Sequence, residues 1–75
     1  MKLEDLLGLI LDVDPTSLTD ATCRDDVANW DSLAHLSVVS GVEETYDVLF
    51  STAEMREISS VGALRTILEA KGAIL

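Results

Sequence analysis

Basic residues are scarce: 5 Lys and Arg stand against 14 Asp and Glu, for a formal net charge of -9 over 75 residues. Binding to a phosphate backbone needs clustered cations and the counterions they release, so this balance excludes nucleic acid as a partner. It excludes anionic membrane surfaces on the same ground. The lone Cys23 permits neither an internal disulfide nor a thiolate metal cluster. The lone His35 leaves any metal site to carboxylates, and no EF-hand spacing is present. The apolar run from Leu6 to Leu11 is too short to span a bilayer. Acids flank it on both sides, unlike a secretory signal. The expectation is a cytoplasmic protein and a monomer, with no metal, no nucleic acid and no membrane partner.

Aliphatic side chains are what the sequence does have. The hydrophobic fraction is 48%, with Trp30, Tyr46 and Phe50 the only aromatics. Residues 1–75 make one small domain. A domain of this size buries only about 60% of its unfolded surface, so its core is thin and a deep active site is hard to enclose. The acidic surface would steer partners that carry basic patches; the same charge also serves plain solubility.

Leu3, Leu6, Leu7, Ile10 and Leu11 repeat at helical spacing, which predicts a first helix over 3–11. Glu4 and Asp5 lie in its first turn, where the helix dipole favours acids. Asp14-Pro15 ends the periodicity, and a short turn is expected at Pro15 behind an Asp14 cap. Residues 13–31 form a long connection, which Val13, Leu18, Val27 and Trp30 would pin to the core. A second helix is expected over 32–46, with His35, Val38, Val39, Val42 and Tyr46 on one stripe. Leu33 and Leu36 fall elsewhere, either as a small exposed patch or packed under the long loop. Ser51 and Glu54 match a capping box before a short third helix ending near Ile58. A fourth runs from about Ser60 to Lys71, with Ser59 or Ser60 as its cap and Gly72 suited to its end. No strand signal is present. The fold class is all-α: four helices, the third short, behind a long first loop.

The segment "NWDSLAHL", residues 29–36, carries the chemistry. Ser32 and His35 are three residues apart on a helix, close enough for contact. A nucleophile and its base would need a third orienting group and an oxyanion hole. Asp31 at a helix start turns to the free backbone N–H groups instead, and no G-x-S-x-G elbow is present. From spacing alone, Asp31 or Ser32 reads as a helix cap with no further task.

"DSLAHLSVVSGVEETYD" resembles the second helix of the acyl carrier proteins. The D-S-L motif falls at Asp31-Ser32-Leu33, followed by an apolar stripe and then Glu43-Glu44, Tyr46 and Asp47. The first-helix leucines, the "DVDP" start of the long loop, and the spacing to Ile58 and Val61 are similar too, so the resemblance covers nearly the whole chain. It implies a four-helix bundle of acyl-carrier type and a carrier rather than an enzyme. It further implies that Ser32, with Asp31 and Leu33 beside it, is where a phosphopantetheinyl transferase attaches 4'-phosphopantetheine from coenzyme A. Acyl cargo would ride on the arm as a thioester, supplied by a loading ligase or transferase and taken up by downstream synthase enzymes. Leu33, Leu36, Glu43, Glu44 and Asp47 would meet these partners. His35, Val38, Val39 and Val42 would border the cargo pocket.

The chain departs from the fatty-acid carrier pattern at three places. Ala34 and Ser37 stand where acids are usual, and Trp30 replaces a small residue before D-S-L. Charge pairs at an interface mainly set partner choice and on-rate, so a dedicated partner set is expected. "WDSLAHL" is similar to free-standing carriers of specialised pathways, such as those for polyketide or other small acyl units. Aminoacyl, peptidyl or general fatty-acid duty stays open, as does an unmodified acidic interaction module. His35 on the inward stripe needs a polar partner. It either disfavours long alkyl cargo or simply bonds a loop carbonyl.

Overall fold

Leu3, Leu6, Leu7 and Leu11 bury one face of the first helix, and the rest of the fold assembles on that face. The structure, a computed structural model, describes residues 1–73. Among these, four helices follow in order: α1 (Leu3–Leu11), α2 (Ser32–Tyr46), α3 (Thr52–Glu57) and α4 (Val61–Ala70). The core joins α1 to Val38, Val39 and Val42 of α2, Ile58, and Val61, Leu64 and Leu68 of α4. Leu18 and Trp30 of the long loop complete it, and Val13 and Val27 pack against its edge. The four loop plugs expected from the sequence are the residues that pin the loop.

The helix boundaries have local causes. Asp12, at φ 55°, stops α1, and Asp47, at φ 54°, stops α2. A short polar side chain tolerates this left-handed conformation better than a β-branched one. Asp12, rather than Asp14-Pro15, therefore terminates the first helix. Asp14 instead caps a 3-10 turn at Pro15–Ser17, its Oδ1 accepting from Thr16 N–H at 2.9 Å. The expected capping box of α3 is present, with Ser51 and Glu54 satisfying each other's backbone N–H groups. Ser60 is the cap of α4, its Oγ accepting from Ala63 N–H. Gly72 takes up φ 81° just past the end of α4.

The long loop is held by backbone bonds to the mouth of α4. Val61 N–H donates to Thr22 O and Gly62 N–H to Asp20 O, each at 3.0 Å, and Arg24 N–H donates to Ser59 O at 2.8 Å. These satisfy donors that a helix start leaves without partners. Gly62 permits the approach: a Cβ there would lie 2.8 Å from Asp20 O. At the loop's other end, Asn29 Nδ2 donates to Leu11 O, one of the carbonyls that α1 leaves free.

Charged groups tie distant segments. Arg65 of α4 bridges Glu4 of α1 and Asp20 of the loop. Lys71 pairs with Glu54 of α3 at 2.9 Å and lies over the Phe50 ring. The Arg65 guanidinium holds the Glu4 carboxyl below its usual range. A depressed folded-state pKa adds stability that is present above the unfolded value and is lost as pH falls through the folded one. The stability advantage of wild type over Glu4→Gln should therefore be constant near neutrality and fade as pH falls below the ordinary glutamate range. Urea titrations of both proteins at a series of pH values check this; an advantage that survives full protonation would contradict it.

Candidate functional site

The chain enters α2 in extended conformation at Asp31. Asp31 Oδ1 accepts from Ala34 N–H and Asp31 O from His35 N–H, both at 2.8 Å. Such a cap is worth about 1 kcal/mol. Because Asp31 supplies it, Ser32 is free of that duty. Ser32 is the first residue of the helix and is exposed. Among the described residues its hydroxyl has no hydrogen-bond partner, and the N–H groups of Ser32 and Leu33 have no backbone acceptor. Two free donors and the positive end of the helix dipole thus surround an accessible hydroxyl, a setting that favours an anion.

Leu33 and Leu36 are 78% and 55% exposed. Of the two arrangements the sequence permits, the structure has the exposed patch. The wheel shows why: Val38, Val39 and Val42 turn to the core, and that orientation points Leu33 and Leu36 outward.

His35 is buried on the inward stripe. Its Nδ1 accepts from Trp30 Nε1–H at 3.0 Å, and its Nε2 lies 2.9 Å from Met55 O. Since the indole N–H can only donate, Nδ1 is the acceptor and Nε2–H donates to the carbonyl. The two rings stack with centroids 6.1 Å apart. Both nitrogens are spent, so His35 is no base for Ser32, and the serine–histidine pairing that the spacing allows is not formed. His35, Val38, Val39 and Val42, the expected pocket-bordering set, all pack in the core.

The expected recognition residues are not gathered at one point. Leu33 and Leu36 lie near the start of α2, while Glu44 and Asp47 are exposed at its far end, roughly 12–21 Å along the axis at about 1.5 Å per residue. Glu43 is half-buried and already engaged: its Oε2 accepts from Phe50 N–H at 2.9 Å and clamps the connection to α3. Leu49, 80% exposed, was not singled out by the sequence. It lies in a shallow groove with Ser40, Glu44 and Asp47. The only signal for it is an unpaired leucine just past a helix end. Among the described residues, no group of three or more His, Cys, Asp or Glu is placed to hold a metal, and no helix is long and apolar enough to cross a membrane.

No family model and no curated protein matches the chain. Among solved structures, the chain is similar to the solution NMR structure of a holo acyl carrier protein from Geobacter metallireducens. The two are 29% identical with a TM-score of 0.83, over 92% of this chain and 79% of that one. The class that fold and likeness define is a carrier protein rather than an enzyme. Its fold is the acyl carrier fold, and the family this likeness supports is that of the acyl carrier proteins.

The Trp30–His35 bond generates a stability prediction. Trp30→Phe keeps an aromatic ring but leaves Nδ1 of His35 buried without a donor, a loss of about 1–3 kcal/mol. Adding His35→Leu removes the orphaned acceptor, so the double variant should be less destabilised than the two single losses added together. Urea unfolding midpoints of the four proteins give the coupling. Strict additivity would mean the bond contributes nothing.

Proposed function

We propose that residues 1–75 act as one acyl carrier domain, with Ser32 as the attachment point of a 4'-phosphopantetheine arm. The observation that carries this reading is an exposed, uncapped serine at the mouth of α2 in a chain with the acyl carrier fold. The setting suits the group: a phosphodiester is an anion, and the free N–H groups of Ser32 and Leu33 face its place. That the similar structure is of a holo acyl carrier protein is further support. In the transfer, Ser32 Oγ forms the new P–O bond while the pyrophosphate bond of coenzyme A breaks. The nucleotide part leaves, and the hydroxyl's proton passes to a base of the phosphopantetheinyl transferase. When bound, the arm supplies a thiol that holds cargo as a thioester. Asp31 holds the helix mouth open to the transferase, and Leu33 gives it an apolar contact.

Partner enzymes would load and unload this thiol. Leu33 and Leu36 supply apolar contact, and Glu44 and Asp47 supply charge for basic partner surfaces. Glu43 contributes less directly, through the loop it clamps. Ala34 and Ser37 thin the acidic face near the arm. That favours a dedicated partner set of a specialised pathway, polyketide or similar, over general fatty-acid enzymes.

Incubation with coenzyme A and a transferase of broad specificity, read by intact mass, tests the assignment. Wild type should gain the mass of one phosphopantetheine and Ser32→Ala none. A wild type left unchanged would turn the reading towards an unmodified interaction module. A Ser32→Ala variant that still gains the mass would move the site.

A further inference from the structure

α3 is the least anchored helix of the fold, since none of its own residues is buried. Ile58, just past its end, and Met55, on its inner edge, give it apolar contact. Its polar ties are the Lys71–Glu54 pair at the surface and the His35 bond to Met55 O on the inside. The His35 imidazole is in turn bonded by Trp30, two residues before Ser32. One imidazole therefore links the approach to Ser32, the first turn of α2, and α3.

An alkyl chain tethered at Ser32 gains by leaving water. Along α2 the buried residues are His35, Val38, Val39 and Val42, and His35 is the one nearest to Ser32 in the helix. We propose that Trp30 and His35 form a polar latch across the seam between α2 and α3 that keeps short tethered chains out of the core. This carrier then takes short or polar acyl groups and holds them outside. The inference rests on the Ser32 attachment proposed above and names the class of its cargo.

Entry through the seam requires α2 and α3 to part. Parting breaks the Nε2–Met55 O bond of an imidazole that is 7% exposed. The imidazole Nε2–H and the Met55 carbonyl then lose their partners away from water, while Trp30 keeps Nδ1 bonded and holds the ring in place. One methylene entering the core recovers less than one such unmade bond costs, so a short chain cannot open the latch.

The test uses phosphopantetheine-bearing protein charged with acetyl, butanoyl, hexanoyl and octanoyl groups. In wild type the melting temperature should not change from acetyl to butanoyl, and hydroxylamine should cleave these two thioesters at rates within about twofold, below the roughly tenfold step that burial of two methylenes would give. In Trp30→Phe/His35→Leu, which removes the polar side chains of the latch, melting should rise with chain length. Its octanoyl thioester should then be cleaved at least about tenfold more slowly than its acetyl thioester. If that variant does not fold, His35→Leu alone is read the same way. A wild type that gains melting temperature or protection already at butanoyl overturns the latch, as does a folded variant that stays flat through octanoyl. A wild type that takes no phosphopantetheine fails earlier, at the mass, and overturns the Ser32 reading and the latch together.

Discussion

An imidazole inside an aliphatic core must have both nitrogens satisfied without water, and this requirement organises the region around Ser32. His35 is the buried polar side chain among the described residues. Its demand for a donor explains why a tryptophan rather than a small residue precedes the D-S-L segment. Its demand for an acceptor draws in a carbonyl of α3. An orphaned group here would cost as much as a large part of a small domain's margin. The residue that looked like a base for the serine is thus a structural joint, and its position decides how the helix mouth meets the rest of the bundle.

The acids divide into two populations that their number alone does not reveal. Asp14, Asp31 and Glu54 cap turns or helices, Glu43 clamps a loop, and Glu4 and Asp20 hold Arg65. These are committed inside the molecule. Of the exposed acids outside that set, Glu44 and Asp47 are the two on α2, and it is these, added to the net field, that a partner docked along α2 would meet directly. The surface is therefore less uniform as a recognition face than a charge of -9 suggests.

The four helices were legible because each carries its own local signal. α1 and α2 show apolar periodicity, α3 a capping box, and α4 a serine cap with a glycine just beyond its end. Ser32 was legible because a motif marks it. What remained open were pairings across the chain, which no period encodes. Ser59 and Ser60 are equivalent as caps until Arg24 takes the Ser59 carbonyl. Leu33 and Leu36 have a face only once Val38 and Val42 have claimed the core. Glu43 reads as free charge until the loop brings the Phe50 N–H to it. His35 plainly needed partners, but a donor five residues earlier and an acceptor twenty residues later lie outside any helical repeat.

Trp30 is the sole tryptophan of the chain, and its indole N–H points at the imidazole beneath the helix mouth. The protein thus carries a built-in optical probe at the joint between its long loop, α2 and α3. Emission from that ring depends on its contact with the imidazole and on exclusion of water, so a change at this joint would be visible without a label, in the unmodified chain and in mixtures with a partner lacking tryptophan.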